Sequence, residues 1–277
     1  MRYGILAHNL GKTDCAELAR RVSSYGLEFV QLALAKALTD FDSSLGKLNP
    51  GMAHYVADCF AKEGVRIGVL GRYINPIHPN PELRREQIDR FKEHLRFARD
   101  FGTSLVATET GSVQAYLEAY PDSTEEDRWS LLRSAVKEMV EEAEHWGVYA
   151  VIEASQNEVV RTPEQMKRSL EEVPSSHFGV LMDPVNLLNA ANHDRQHEIV
   201  KRAFELWGDR IVLAHIKDFD ITPDGKMKYV PMGTGRLDVP FFLDLLKQYK
   251  PYTNISFEGG ITPDEVPAAL EYVKRFS

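Results

Sequence analysis

Residues 149–183 read YAVIEASQNEVVRTPEQMKRSLEEVPSSHFGVLMD, and this stretch contains the repeating unit that decides the fold. Its two ends, YAVIE and FGVLM, are short apolar runs with the length and composition of buried β-strands. Between them, Thr162 followed by Pro163 matches a helix N-cap with proline at the first helical position. The stretch therefore predicts a strand, a helix and a second strand.

The same alternation of apolar runs and amphipathic stretches occurs along the whole chain, without a Pro/Gly/Ser-rich linker. The candidate strands begin at Tyr3, Phe29, Arg66, Ser104, Tyr149, Phe178, Ile211 and Asn254. Right-handed crossovers join such units into a closed parallel barrel, so we expect an α/β protein with a single (β/α)8 TIM-barrel domain over residues 1–277. A doubly wound open sheet is the competing arrangement, but neither a GxGxxG nor a GxxxxGKS/T motif follows any candidate strand.

Composition and charge limit the classes of function that the chain can have. The 277 residues suit one barrel, and 43% hydrophobic with 27% charged residues is typical of a globular domain. Because we find no apolar run near the roughly 20 residues of a membrane span and no signal-peptide pattern, we expect a cytoplasmic protein. The net charge of -8 argues against nucleic acid as a partner. Cys15 and Cys59 lack a redox or zinc motif, so we expect buried free thiols.

Four chemically related side chains occupy the last inward-pointing positions of four consecutive candidate strands. They are Glu153, Asp183, His215 and Glu258, and each lies about one strand-helix unit after the one before it. In barrels of this kind, the active site forms where the C-terminal ends of the strands meet. We therefore expect the four side chains to converge at one mouth, although any one of them alone could equally cap a helix or pair with a nearby cation.

Three carboxylates and one imidazole form a mostly oxygen-donor ligand set. Such a set suits Mn2+, Co2+ or Mg2+ and differs from a thiolate-rich zinc site, although Zn2+ stays a candidate. Four protein ligands leave about two of six coordination positions open, which is enough for an α-hydroxycarbonyl substrate to chelate the ion. The ion would then polarise the carbonyl and neutralise the charge of a metal-bound enediolate. The pattern predicts proton transfer next to a carbonyl.

The chain resembles the xylose isomerase-like sugar phosphate isomerase/epimerase family, a superfamily-level likeness that covers essentially its whole length. The motifs that carry the resemblance are VIEAS with Glu153, LMDPVNLL with Asp183, LAHIKD with His215, GTGRLD from Gly233, and SFEGG with Glu258. The resemblance implies that the four matching positions hold the metal. It also implies that Glu153 and Glu258 act as acid and base on opposite faces of the substrate. Barrels of this family often form dimers or tetramers, so a homo-oligomer is a possible assembly, and the sequence leaves the oligomeric state open.

The same superfamily contains metal-dependent abasic-site endonucleases, which carry three zinc ions and additional histidines. In this chain, Asn186 stands three residues after Asp183, where those nucleases have a histidine, and no further histidine follows His215 closely. Together with the acidic net charge, these departures argue against a nuclease.

Polar residues near other strand ends are candidates for contact with the substrate. His8 ends the first candidate strand, Glu109 ends the fourth, and Asn186 follows the sixth, so we expect all three to line the pocket. A purely structural role is the alternative for each of them.

Two basic residues are further candidates for binding the substrate. Lys217 has the inward parity of the seventh strand and could serve a substrate oxygen or phosphate, or it could pair with Asp218 or Glu153. Arg236, after the GTG turn, could bind two oxygens of an anionic group, or it could be an exposed loop residue.

Taken together, the sequence predicts a metal-dependent isomerase or epimerase of a small sugar or sugar phosphate, and hence a role in carbohydrate metabolism. One enzymatic alternative is a dehydratase of a keto-cyclitol or dehydroshikimate-like substrate, because the same enediolate can expel a β-hydroxyl group. A non-enzymatic alternative is a barrel that binds a sugar without changing it.

Overall fold

The computed structural model describes residues 1–276, so Ser277, the last residue of the predicted domain, lies outside the described part. Eight parallel strands close into a barrel in the order β1, β10, β7, β6, β5, β4, β3, β2. These strands are β1 (Tyr3–Leu6), β2 (Phe29–Leu32), β3 (Arg66–Gly71), β4 (Leu105–Thr108), β5 (Tyr149–Glu153), β6 (Phe178–Met182), β7 (Ile211–Ile216) and β10 (Ile255–Phe257). The predicted (β/α)8 barrel is confirmed, and the alternative of an open, doubly wound sheet is wrong.

Helices surround the barrel. They are α1 (Cys15–Ser24), α2 (Leu34–Ala37), α3 (Pro50–Lys62), α4 (Pro81–Phe97), α5 (Val113–Ala119), α6 (Glu125–Trp146), α7 (Pro163–Glu172), α8 (Gln196–Trp207), α9 (Val239–Tyr249) and α10 (Val266–Lys274). Thr162 caps α7 as predicted, because its side chain accepts a hydrogen bond from the backbone N–H of Gln165. After Thr262 the chain first forms a 3-10 turn, and α10 starts three residues later than the proline pattern predicts.

Two further observations concern the outer layer. Cys15 in α1 and Cys59 in α3 are buried free thiols, as the sequence predicts. Within residues 1–276, the structure contains no helix with both the length and the apolar character needed to cross a bilayer.

An apolar floor fills the lower part of the barrel and positions the polar groups above it. Phe29 occupies the centre, and a Cβ on Gly4 or Gly68 would lie only 2.7 or 2.5 Å from its ring. The other floor residues are Val69, Ala107, Val151, Leu181 and Leu213. Because side chains alternate along a strand, the residue two positions after each floor residue also points inward. In five of the six strands that residue is polar: Gln31, Glu109, Glu153, Asp183 and His215.

A β-hairpin lies between β7 and α9. Strands β8 (Asp218–Ile221) and β9 (Met227–Val230) pair antiparallel, with Asp218 opposite Val230. Asp218 organises the return of the chain, because its carboxylate accepts hydrogen bonds from the backbone N–H groups of Gly233, Gly235 and Leu237 at 2.8 to 3.1 Å. A Cβ at Gly235 would lie 2.3 Å from that carboxylate, so the GTG turn needs a glycine there. The hairpin forms one wall of the barrel mouth.

Candidate metal centre

The structure brings Glu153, Asp183, His215 and Glu258 together at the C-terminal end of the barrel. Glu153 ends β5, Asp183 directly follows β6, His215 lies near the end of β7, and Glu258 directly follows β10. One potential ligand atom from each side chain lies within 4.8 Å of the others. The convergence has a simple origin, since β5, β6, β7 and β10 are consecutive neighbours in the barrel.

His215 stands at the centre of the cluster. Its Nδ1 atom lies 2.9 Å from Glu258 Oε2, 3.2 Å from Glu153 Oε1 and 4.0 Å from Asp183 Oδ2. The side chain of Glu258 is 23% exposed, whereas the other three are buried almost completely. The cluster is therefore open to solvent on the side of Glu258, from which a substrate could approach.

Burial and mutual attraction set the charges of these groups. Burial alone would lower the pKa of His215, but the carboxylates of Glu153 and Glu258 outweigh it and raise that pKa to about 10. Burial raises the pKa of Glu153 to about 7, against the attraction of His215. Burial would also raise the pKa of Glu258, but His215 and Lys217 hold it well below its ordinary value. The carboxylates of Glu153 and Glu258 therefore favour the protonated form of the imidazole between them.

Lys217 is a second positive group in the cluster. It is 3% exposed, and its Nζ atom lies 3.0 Å from both Asp183 Oδ2 and Glu258 Oε2. It also donates a 2.8 Å hydrogen bond to Asn186 Oδ1, and it lies 4.9 Å from the centre of the Tyr229 ring in the hairpin. Its salt-bridge partners are therefore Asp183 and Glu258, rather than the Asp218 or Glu153 considered from the sequence.

The side chains present fit a divalent cation. Asp183 Oδ1 accepts hydrogen bonds from the backbone N–H groups of Val185 and Asn186. Asp183 Oδ2 is buried and accepts no hydrogen bond from residues 1–276, although the Lys217 ammonium lies 3.0 Å away. The Lys217 ammonium compensates the charge of this buried oxygen, and a bound divalent cation would do so as well. The three carboxylates and the imidazole offer oxygen and nitrogen ligand atoms within 4.8 Å of one another, a donor set that suits a divalent cation.

The structure places the predicted substrate-binding residues at different distances from the cluster. Asn186 lies inside the cluster, because it donates a 2.8 Å hydrogen bond to Glu153 Oε1 and accepts one from Lys217. Glu109 directly follows β4, whereas His8 lies in the 3-10 turn Ala7–Leu10 after β1 and does not end that strand as predicted. The buried Nδ1 atom of His8 has no hydrogen-bond partner among residues 1–276. Arg236 lies apart from them: its exposed side chain pairs with Asp220 in the hairpin at 2.6 Å.

Sequence reasoning missed two residues, Gln31 and Tyr73, whose hydrogen bonds extend from His215. The Oε1 atom of Gln31 lies 2.8 Å from His215 Nε2, and its Nε2 atom donates a 3.0 Å hydrogen bond to the hydroxyl group of Tyr73. The available signal was a single polar residue at an inward position of the otherwise apolar strand FVQL.

A polar cavity of about 430 Å3 adjoins the cluster at Asn186. The loops after β5 and β6 and the β8–β9 hairpin form its walls. Among its lining residues are Ser155, Gln156, Asn157, Asn186, Asn189 and Tyr229. Its volume falls within the usual range for small-molecule sites.

The fold and the cluster together define a TIM barrel with a candidate metal centre at the C-terminal ends of its strands. The chain belongs to the xylose isomerase-like TIM barrel family, whose model matches residues 19–276. This finding confirms the resemblance that the motifs indicated. No curated protein matches this sequence.

Solved structures with the same architecture include several sugar epimerases. A D-tagatose 3-epimerase-like protein is 17% identical, with 100% of this chain and 97% of that chain covered and a TM-score of 0.76. The 3-keto-D-glucoside 4-epimerase from E. coli is 13% identical, with 99% of each chain covered and a TM-score of 0.76. The IOLI protein, solved with a zinc atom, is 16% identical, with 100% and 96% covered and a TM-score of 0.74. At these identities, the likeness establishes the shared fold.

Proposed function

We propose that this chain is a metal-dependent enzyme that isomerises or epimerises a small sugar or sugar phosphate by moving a proton next to a carbonyl group. The observation that carries the proposal is the buried cluster of three carboxylates and one imidazole at the barrel mouth, with an Asp183 oxygen that accepts no hydrogen bond in the described chain. The epimerase names of structural neighbours support the same reaction class.

Glu153, Asp183, His215 and Glu258 would hold the ion. When bound, a divalent cation supplies positive charge that polarises a carbonyl oxygen and stabilises the negative charge developing beside it. Mn2+, Co2+ and Mg2+ suit this oxygen-rich set, and the zinc atom in the IOLI structure supports Zn2+ as a further candidate.

The two glutamates are the proposed acid and base. Glu258 follows β10 and lies on the open side of the cluster. Glu153 enters the cluster from β5, and β6 and β7 lie between β5 and β10 in the barrel. Two carboxylates that approach one carbon from different sides can remove a proton from one face and return it to the other, which is epimerisation. A single glutamate that carries the proton between adjacent carbons would instead give aldose-ketose isomerisation.

Asn186 and Lys217 would hold the glutamates in position. Asn186 bonds to Glu153 and to Lys217, and Lys217 bonds to Glu258, so these two side chains link both proposed acid/base groups. The adjoining polar cavity of about 430 Å3 is large enough for a monosaccharide and a phosphate group. Phosphorylation of the sugar, the choice of Mn2+, the single domain over residues 1–277 and a homo-oligomeric state stay predictions.

The test is a screen of aldoses, ketoses and their phosphates in D2O with Mg2+, followed by NMR. We expect deuterium to enter at a carbon next to the carbonyl of one substrate class, without loss of water. The Glu153→Gln and Glu258→Gln variants, assayed at saturating Mg2+ with bound metal measured, should lose about 100-fold or more of this exchange. Glu118→Gln on the exposed surface of α5 is the matched control and should keep it.

Three outcomes would contradict the proposal. Loss of water together with exchange would indicate the dehydratase. Binding of a sugar without any exchange would indicate a sugar-binding barrel. Wild-type turnover in a fully metal-loaded Glu258→Gln variant would leave Glu258 as a ligand only.

A further inference from the structure

Gln31 is a completely buried amide beside His215 in the candidate metal centre. It is 0% exposed, and it lies in β2 two positions after the floor residue Phe29. A buried amide is costly unless its polar atoms are paired, and here the two ends have different partners. The oxygen faces His215 Nε2 at 2.8 Å, and the nitrogen faces the Tyr73 hydroxyl at 3.0 Å.

The surroundings of His215 decide which of its nitrogen atoms can bind a cation. The Nδ1 atom faces the carboxylates of Glu153, Asp183 and Glu258. The Nε2 atom points away from them and faces the Gln31 oxygen. A cation held by the carboxylates therefore needs the lone pair of Nδ1, so the remaining ring proton must lie on Nε2. That proton needs an acceptor in a buried place, and Gln31 Oε1 is in position to accept it.

Tyr73 fixes the orientation of the amide. Once the oxygen of Gln31 accepts from His215, its NH2 group must donate, and the Tyr73 oxygen is the acceptor. Gly71 leaves room for this phenol, because a Cβ at Gly71 would lie 2.9 Å from the Tyr73 hydroxyl oxygen. Lys36 Nζ lies 4.3 Å from the centre of the Tyr73 ring, and this cation–π contact also holds the phenol in place.

We propose that Gln31, oriented by Tyr73, is the positioning residue that keeps the proton of His215 on Nε2 and presents Nδ1 as the metal ligand. The inference rests on the proposed metal site and adds a residue that makes no contact with the ion. Hydrogen-bonded partners of metal-binding histidines orient the ring and typically contribute 10- to 100-fold to metal affinity.

Two variants separate the hydrogen bond from the packing of the side chain. Gln31→Met keeps the length of the side chain and removes the acceptor, whereas Gln31→Glu keeps an acceptor at the same distance. Zn2+ alone is titrated into each metal-free protein by calorimetry. We expect Gln31→Met to weaken Zn2+ binding by about 10- to 100-fold, and Gln31→Glu, which keeps the acceptor and adds a negative charge, to bind Zn2+ at least as tightly as wild type.

A spectroscopic readout distinguishes positioning from a general structural role. In Zn2+-loaded protein labelled with 15N-histidine, the Nε2–H proton of His215 should be visible and protected from exchange with water. The signal is assigned by its absence from His215→Gln. It should persist in Gln31→Glu and disappear in Gln31→Met.

Wild-type affinity in Gln31→Met, with the protected Nε2–H proton retained, would overturn the inference. If Gln31→Met does not fold, the wild-type spectrum decides: a protected Nε2–H proton supports the inference, and a protonated Nδ1 in the Zn2+-loaded protein overturns it. Failure of wild type to bind Zn2+ would remove the metal site and this inference together. Zn2+ binding with the expected spectra but without turnover of any sugar would refute only the proposed reaction.

Discussion

Replacing Lys217 with methionine removes an ammonium group that lies 3.0 Å from both Asp183 and Glu258. At an effective dielectric constant of about 20, each contact corresponds to roughly 5 kcal/mol of Coulomb attraction, most of which offsets the cost of burying the charges. Removing one partner from a buried charged group typically costs about 3–5 kcal/mol, because the remaining charges lose their compensation. Metal-free Lys217→Met should therefore lose about that much free energy of unfolding.

A divalent cation should reverse part of this loss, because it supplies positive charge that the variant lacks. The ammonium group also repels a cation in the same cluster, so Lys217→Met should bind Mn2+ about tenfold or more tightly than wild type does. Because Mn2+ stabilises the wild type as well, the difference between variant and wild type shrinks only by the gain in affinity, which is about 1.4 kcal/mol for tenfold tighter binding. Saturating Mn2+ should therefore reduce the loss from about 3–5 kcal/mol to about 2–4 kcal/mol.

The assay is urea unfolding followed by circular dichroism, with EDTA and with saturating Mn2+. Lys228→Met, an exposed lysine of the neighbouring hairpin, is the matched control and should change stability by less than about 0.5 kcal/mol in both conditions. An equal loss for Lys217→Met with and without Mn2+ would refute the reasoning, since the lysine would then not compensate the charges that a cation binds.

Two further predictions concern parts of the fold outside the cluster. Asp218→Asn should lose about 2–4 kcal/mol of stability, because the NH2 group of asparagine cannot accept the hydrogen bonds that Gly233 and Gly235 donate. The backbone amides of residues 218–237 should then exchange with solvent faster than in the control variant Asp220→Asn, and equal exchange rates would contradict this prediction. Burial lowers the pKa of His94 to about 3. Between about pH 6.5 and 3, His94 therefore binds a proton only in the unfolded chain. Stability should fall by up to about 1.4 kcal/mol per pH unit as the pH decreases through this range. His94→Phe should make the acid side of the stability profile less steep than in wild type or in the surface variant His145→Gln, and an unchanged slope would count against the assignment.

Much of the fold follows from local pattern. Six of the eight barrel strands begin at the predicted residue, and β4 and β10 begin one residue later, at Leu105 and Ile255. Short apolar runs that alternate with amphipathic helices leave few topologies open, and parity along each strand then selects the inward positions. The same parity predicts that Glu153, Asp183 and His215 meet, because each stands two residues after a residue of the apolar floor.

What the sequence did not reveal depends on contacts between distant segments. Gln31 and His215 are 184 residues apart in the chain, and a single glutamine in an apolar strand does not indicate its partner. The hairpin formed by β8 and β9 depends on the Asp218 carboxylate, whose partners come 15 to 19 residues later. The sequence alone offers several carboxylates as salt-bridge partners for Lys217. The closed barrel brings Asp183 and Glu258 within 3.0 Å of it.

The most direct test of the central claim is the divalent metal content of the purified protein after dialysis against Mn2+ or Zn2+ and removal of free ion. We predict about one ion per chain in wild type, and less than about a tenth of that in Asp183→Asn and His215→Ala, with both variants still folded by circular dichroism. Wild-type protein without a bound ion, or variants that retain the full amount, would contradict the assignment of the cluster as a metal centre.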